Sequence, residues 1–131
     1  VDKMVKDEIV EPGRSFCVDY FTPSSFVEPK ETYCAFTNAS LEQAGSQFKE
    51  FMNFIIESPN CRAGVHIEPI GDLIIPNTVL NRASIQYIKK RGYLDGFYKF
   101  MKVQNIDIIC ERDFGLGSKF LSGYQLIVWK K

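Results

Sequence analysis

The chain has 131 residues and a mass of 15.0 kDa, with 16 Lys and Arg residues against 16 Asp and Glu residues. A domain of this length buries roughly two-thirds of its unfolded surface, so it can form a core without metals or disulfides. The 45% hydrophobic and 24% charged fractions exclude a disordered or collagen-like chain. No apolar run reaches the ~18–20 residues of a membrane span, so we expect no membrane partner.

The N-terminal part of the sequence predicts an arm followed by two strands. Residues 1–13 have mixed charge and end in Pro12-Gly13, which predicts a loosely ordered arm. Apolar and polar residues alternate over Arg14–Phe21, which is typical of a strand. A loop containing prolines and serines follows, and Glu31–Thr37 is predicted to form a second short strand. The two strands can form an antiparallel pair across this loop.

Residues 41–57 show the clearest helical pattern in the sequence. Ser40 and Gln43 match a capping box, in which each side chain satisfies a backbone N–H at the start of the helix. Apolar residues then recur on one helical face: Leu41, Ala44, Phe48, Phe51, Met52 and Ile55. Ser58-Pro59 ends the predicted helix, because proline disfavours helical geometry in the residue before it.

The next segment, Ala63–Pro69, predicts a strand by its alternating pattern. Val65 and Ile67 face one side of this strand, and His66 and Glu68 face the other. The following turn predicts a hairpin whose second strand covers residues 73–75.

A second helix is predicted to start near Thr78 and to end at Gly92. Its last turn carries the basic residues Lys89, Lys90 and Arg91. These side chains complement the negative end of the helix dipole, and glycine supplies a left-handed cap.

The last forty residues are predicted to contain an ambiguous segment and two strands. Residues 93–104 fit either a helix, which we favour, or a hairpin that turns at Asp95-Gly96. Strands are predicted at Ile106–Glu111 and Tyr124–Lys131, with a glycine-containing loop between them. The complete order predicts one α+β domain over residues 1–131, with a mostly antiparallel sheet of short strands and two or three helices on one face.

The cysteines, together with the charges near the N-terminus, indicate the cellular compartment of the protein. The four cysteines, Cys17, Cys34, Cys61 and Cys110, show no C-x-x-C pairing, and three of them lie within apolar stretches. We therefore expect reduced thiols and an intracellular protein of the cytoplasm or nucleus, with no metal and no cofactor. The charges near the N-terminus leave no apolar segment typical of a signal peptide.

The net charge of zero conceals two halves of opposite sign. Residues 1–79 carry six basic and twelve acidic side chains, whereas residues 80–131 carry ten basic and four acidic ones. The second half interleaves cations with aromatic rings, a combination that neutralises phosphates and stacks on unpaired bases. The candidate binding residues are Arg82, Lys89, Lys90, Arg91, Tyr93, Tyr98, Lys99, Lys102 and Lys119. The alternative explanation is that several of these rings belong to the core and that the lysines only complement a helix dipole.

Catalytic chemistry has weaker candidates. His66 is the single histidine, and a dyad with Cys61 or another thiol requires the fold to bring the two side chains together. A lone histidine in a strand is more often a surface or structural residue. Glu68 and Asp72 flank a turn and are expected to be solvated charges. Gly115-x-Gly117 with Lys119 can cradle a phosphate but lacks the order of a P-loop, so a flexible loop is the simpler interpretation.

Three functional hypotheses follow from these patterns. The first is a non-enzymatic interaction or assembly domain that binds a protein partner or a second copy of itself, because aromatic residues and arginine are enriched at interface cores. The second is a nucleic-acid-binding domain that uses the basic and aromatic segment 82–102. The third is a small enzyme of a family that the sequence does not indicate.

Overall fold

The computed structural model describes residues 18–131. The predicted arm at residues 1–13 and the first half of the predicted strand Arg14–Phe21 lie outside the described residues. Residues 18–21 form no strand, and the Tyr20 ring packs against Phe51 with the ring centroids 4.8 Å apart. The predicted antiparallel pair with the second strand is therefore not formed by this segment.

The described residues form a sheet of four strands with three α-helices, which confirms the predicted α+β class. The strands are β1 (Tyr33–Asn38), β2 (Cys61–Glu68), β3 (Asp107–Asp113) and β4 (Gln125–Lys130). The α-helices are α1 (Phe48–Glu57), α2 (Val79–Arg91) and α3 (Phe97–Lys102). Short 3-10 helices cover Pro23–Ser25, Leu41–Gln47 and Gly71–Leu73.

The sheet is mixed, with the spatial order β1-β2-β4-β3. β1 runs parallel to β2, and the other two pairings, β2 with β4 and β4 with β3, are antiparallel. The parallel pair requires a crossover connection, and the 3-10 helix and α1 supply it between β1 and β2.

The inner face of the sheet carries the main core. Ala35, Gly64 and Trp129 share one row across β1, β2 and β4, and Thr37, His66 and Ile127 share the next row. Helix α1 packs on this face through Phe48, Phe51, Met52 and Ile55, and α3 packs there through Phe97 and Met101. Helix α2 is more peripheral and belongs to a smaller cluster of Ile74, Ile88, Tyr93 and Leu121.

The long helix predicted at residues 41–57 is only partly correct. The α-helix starts at Phe48, and residues 41–47 form a 3-10 helix that is interrupted at Gly45, where φ is +58°. The capping box is also wrong. The Ser40 hydroxyl bonds to the Tyr20 hydroxyl at 2.8 Å, and the Gln43 side chain donates to Glu42.

The hairpin predicted after Gly71 is wrong as well. Residues 71–73 form a 3-10 turn in which the Ile74 N–H donates to the Gly71 carbonyl at 3.2 Å. The Ile74 side chain is buried against Ile88 of α2, so this segment serves the smaller cluster and does not extend the sheet.

The second helix agrees with its sequence signals. Thr78 accepts a hydrogen bond from the Asn81 N–H at 3.0 Å, and Gly92 ends α2 in the left-handed conformation with φ of +70°. Residues 97–102 form α3. Of the two alternatives for residues 93–104, the helix is therefore confirmed and the hairpin is wrong.

The indole ring of Trp129, the largest buried side chain, requires a residue without a side chain at position 64. Gly64 on β2 lies directly opposite Trp129 on β4, and a Cβ atom at this position would overlap the indole ring. The missing side chain lets the indole lie across β2, where its N–H reaches the His66 ring at 2.9 Å.

We expect Gly64→Ala to lower the free energy of unfolding by about 1–3 kcal/mol, because the new methyl group forces the indole from its position. Urea unfolding measures this change. The fluorescence of Trp129, the single tryptophan, reports the displacement of the ring.

The matched control is Ala63→Ser on the opposite face of the same strand, for which we expect a change within about 0.5 kcal/mol. Equal stability of the two variants would contradict the packing argument.

Candidate functional site

Five side chains from α2, from the residue after its Gly92 cap and from the β3–β4 loop form a continuous cation–aromatic row: Lys119, Phe120, Tyr87, Tyr93 and Arg91. Phe120 stacks on Tyr87 with centroids 5.5 Å apart and an interplanar angle of 16°. Tyr87 meets Tyr93 edge to face at 6.1 Å. A cation covers each end, with Lys119 Nζ 5.8 Å from the Phe120 centroid and Arg91 Cζ 5.4 Å from the Tyr93 centroid.

The two ends of the cation–aromatic row differ in what they offer to a ligand. Phe120 is 55% exposed and Lys119 is exposed, so this end is accessible. Tyr93 is 8% exposed and belongs to the smaller core cluster, so it presents no ring face for stacking. Arg91 Nε donates to the Tyr93 hydroxyl at 3.1 Å, and this contact raises the pKa of Arg91.

Two contacts hold the part of the β3–β4 loop that carries Lys119 and Phe120 against α2. Ser122 N–H donates to Ser84 Oγ at 2.8 Å, and Leu121 is buried against Ile88. These two contacts fix the loop on the helix, so that Phe120 lies over Tyr87.

Tyr98, Lys99 and Lys102 lie on α3. The Tyr98 hydroxyl donates to the Glu111 carboxylate on β3, and Lys102 Nζ lies 5.1 Å from the Tyr98 centroid. Proximity to the Tyr98 hydroxyl raises the pKa of Lys102. Lys99 is exposed. Tyr98 and Lys102 are thus part of a cluster that contains a carboxylate and includes no member of the row.

The remaining three predicted residues all lie on α2. Arg82 donates to the Pro76 carbonyl at 3.1 Å, near the start of the helix. Lys89 lines a pocket of about 180 Å³ together with the carboxylates of Asp72 and Asp95. Lys90 is exposed. The nine predicted residues therefore do not form one surface, and only Arg91, Tyr93 and Lys119 meet in the cation–aromatic row.

Sequence reasoning did not place Phe120 in the candidate site. Its contact with Tyr87 joins residues 33 positions apart, through a loop whose course no local pattern predicts. The available signal was the adjacent Lys119-Phe120 pair within a polar, glycine-containing loop.

The phosphate cradle considered around Gly115 and Gly117 is not free to bind. The Gly115 N–H donates to Asp113 Oδ1 at 2.8 Å, and the Ser118 N–H donates to the Leu121 carbonyl at 2.9 Å. The loop thus uses these donors for its own structure, and a Cβ atom at Gly117 would overlap the Leu121 carbonyl.

A second candidate surface is the outer face of the sheet. Its middle row is apolar across all four strands, with Phe36, Val65, Val128 and Cys110 side by side. Ile67 and Leu126 extend the apolar area along β2 and β4. We call these six residues the outer apolar strip.

The outer apolar strip has no cover among the described residues. Phe36 is 64% exposed, and Val65, Ile67, Leu126 and Val128 pack against neither hydrophobic cluster. Polar residues border the strip, with Lys130 Nζ 4.0 Å from Asp107 Oδ2 at one end and Arg112 beside Leu126 at the other. The other five residues of the strip are half-buried. Continuous apolar patches on a protein surface mark interaction sites.

His66 and Glu68 occupy the inner face of the sheet, where both side chains are fully buried. The Trp129 indole N–H donates to His66 Nε2, and His66 Nδ1 lies 2.9 Å from Thr37 Oγ1. Because the indole can only donate, Nε2 is an acceptor and Nδ1 carries the proton of a neutral ring. Burial lowers the pKa of His66 to about 4.

Glu68 continues this network from the sheet to the crossover. The Thr37 hydroxyl hydrogen-bonds to its carboxylate, which also accepts the N–H groups of Ser40, Leu41 and Glu42 at 3.1–3.3 Å. Burial raises the pKa of Glu68, and the surrounding donors oppose that shift. Glu68 is fully buried, so the expected solvated charge is wrong.

The structure does not form the His66–Cys61 dyad that the sequence analysis considered. Both ring nitrogens of His66 already have partners, and the Cys61 thiol donates to the Ala63 carbonyl at 3.3 Å. Burial raises the pKa of Cys61, which disfavours the thiolate that a nucleophile requires.

Comparisons with known proteins return no match to a family model, a curated protein or a solved structure. Within residues 18–131, no group of three or more His, Cys, Asp or Glu side chains could hold a metal ion. Over the same residues, the helices are too short or too polar to cross a bilayer.

We expect the His66 ring to stay neutral, with its proton on Nδ1, down to about pH 5 and to titrate with a midpoint near 4. ¹⁵N–¹H correlation spectra of the ring measure both properties without ambiguity, because the sequence contains one histidine. A midpoint near 6.5, or a proton on Nε2, would contradict the hydrogen-bond network.

The same shift sets the direction of the pH dependence of stability. Between about pH 6.5 and 4 the unfolded chain binds a proton at His66 that the folded protein rejects, so the free energy of unfolding falls as the pH drops. The full contribution is about 3 kcal/mol. Glu68, whose pKa is raised, contributes with the opposite sign, so the observed total is smaller.

Proposed function

We propose that this chain is a protein-interaction or assembly domain that docks through the outer apolar strip. The observation that carries the proposal is the outward-facing middle row, Phe36-Val65-Val128-Cys110, which crosses all four strands without a charged side chain. Phe36 is exposed, and the other three residues are half-buried. A sheet buries its apolar face against another layer in stable folds, and the helices of residues 18–131 cover only the inner face.

The border of the strip favours a protein as the ligand. The charges around it are few, and Lys130 and Asp107 compensate each other, so the surface offers little attraction to a polyanion. A central apolar area with a polar rim is the usual arrangement of a protein–protein interface. The strip therefore fits a partner with an apolar surface of its own.

Site-specific photocross-linking tests this proposal. With p-benzoylphenylalanine at Val128, in the centre of the strip, we expect cross-linked adducts at several times the yield obtained with the same residue at Gln86. Position 86 is an exposed site on α2 and serves as the matched control. The experiment uses purified chain alone and then a lysate of the source cells.

Mass spectrometry of the adduct identifies the residues of the partner that contact the strip. Equal yields from positions 128 and 86 in both preparations would refute docking through this face.

The cation–aromatic row supports a second candidate function, the binding of single-stranded nucleic acid. Phe120 offers an exposed ring beside Lys119, and Arg91 adds a second cation at the far end. A base stacked on an aromatic ring contributes ~1–3 kcal/mol, and the cations neutralise phosphates. This arrangement supports contact with one or two nucleotides.

We expect Phe120→Ala to weaken the binding of a short single-stranded oligonucleotide by roughly tenfold in fluorescence anisotropy at low salt. Lys119→Ala should lower the slope of log K against log salt by about 0.7, the contribution of one phosphate contact.

The control is Phe36→Ala, which removes an exposed phenylalanine from the outer face and should leave the anisotropy unchanged. If the oligonucleotide does not bind at low salt, or if Phe36→Ala weakens binding as much as Phe120→Ala, the second candidate fails.

We infer an intracellular location, in the cytoplasm or nucleus. Cys34, Cys61 and Cys110 are free thiols, and Cys34 is exposed. Free thiols are typical of proteins in reducing compartments.

A further inference from the structure

Within residues 18–131, no strand pairs with the outward edge of β1. Tyr33 and Ala39 donate their N–H groups to Asn60 and Ile67 on the β2 side, each at 2.9 Å. Because these groups alternate in direction along a strand, Cys34, Phe36 and Asn38 direct their N–H and C=O groups away from β2. β1 pairs only with β2 among the described strands, which leaves this edge without a neighbour.

The two edges of the sheet differ in their protection. β3, at the far edge, carries Asp107, Glu111, Arg112 and Asp113, and a bulge interrupts its pairing between Ile108 and Cys110. Charges and bulges prevent unwanted strand addition at exposed edges. β1 has no charged residue, and its five residues from Cys34 to Asn38 pair with β2 in continuous register after the irregularity at Tyr33/Cys34. Only β1 is therefore open to strand addition.

A second copy of the chain fits this edge better than a charged peptide does. The three outward-directed residues are symmetric about Phe36, so antiparallel pairing of two β1 strands around this residue satisfies all of them. Phe36 then faces Phe36 of the second copy, and Cys34 faces Asn38. No like charges meet, because β1 carries none. Aromatic pairs directly opposite each other stabilise antiparallel strands.

We propose that two copies of this chain pair edge to edge through β1 and form one continuous eight-stranded sheet. The pairing joins the two outer apolar strips at Phe36 into a single surface of twice the width. This inference rests on the proposed function, since it names a second copy as the first partner. A contact of two six-residue strands is smaller than the roughly 1,600 Å² of a standard interface, so we expect a dissociation constant in the micromolar range or weaker.

A charge exchange across the paired strands tests both the dimer and its register. Sedimentation velocity at rising concentration should show the wild-type mass increasing from 15.0 kDa towards twice that value. Cys34→Lys with Asn38→Lys places two like-charged pairs across the interface and should weaken dimerisation at least about tenfold. Cys34→Lys with Asn38→Glu places opposite charges at the same two contacts and should restore it.

The matched control is Asn53→Lys with Gln86→Lys, which adds two positive charges at exposed positions on α1 and α2 and should leave dimerisation unchanged. Circular dichroism of each variant confirms that it folds, as expected for substitutions at exposed positions.

Two outcomes would overturn the inference: a wild-type chain that stays monomeric up to millimolar concentration, or a Lys/Glu variant that dimerises no better than the Lys/Lys variant. In either case, a position-specific adduct of Val128 with a different protein would leave the proposed function intact. The loss of that adduct as well would refute both.

Discussion

The buried polar chain from Trp129 through His66 and Thr37 to Glu68 determines how the other elements are arranged. It connects β4, β2 and β1 in turn, and it ends on three N–H groups at the start of the crossover. An unpaired carboxylate in this position would be costly, but the donors that surround Glu68 compensate for its burial. Gly64 belongs to the same arrangement, since only a residue without a side chain lets the indole reach His66.

The polar chain also explains why the outer face is apolar. Side chains alternate along a strand, so the inward direction of His66 and Glu68 turns Val65 and Ile67 outward. The alternation was readable from the sequence, but it did not say which set is buried. The burial of apolar surface alone would favour Val65 and Ile67 on the inner face. The opposite orientation prevails because the two polar side chains find hydrogen-bond partners on β1, β4 and the crossover, which lie far away in sequence.

Local signals predicted the features that depend on neighbouring residues. The start of α2 near Thr78, its end at Gly92 and the strands β2, β3 and β4 were predicted from patterns of a few residues. The predictions that were wrong concern features that depend on contacts between residues distant in sequence. Gly45 interrupts the helical run where the carbonyl of Gly92 approaches, and Ile74 leaves the expected hairpin to pack against α2. Likewise, the cation–aromatic row unites Tyr87 with Phe120, and no periodicity records such a contact.

The cation–aromatic row and the proposed dimer contact are compatible because they use different parts of the fold. The cation–aromatic row is formed by α2, by Tyr93 just after it and by the β3–β4 loop, whereas the proposed dimer uses β1, at the opposite edge of the sheet order from β3. Pairing through β1 therefore leaves both rows of a dimer accessible. A single row contacts too few nucleotides for tight binding, but two rows on one rigid sheet raise the effective concentration for a strand long enough to reach both. In this arrangement the proposed dimer would supply affinity that a single row lacks, so the two proposed functions would support each other.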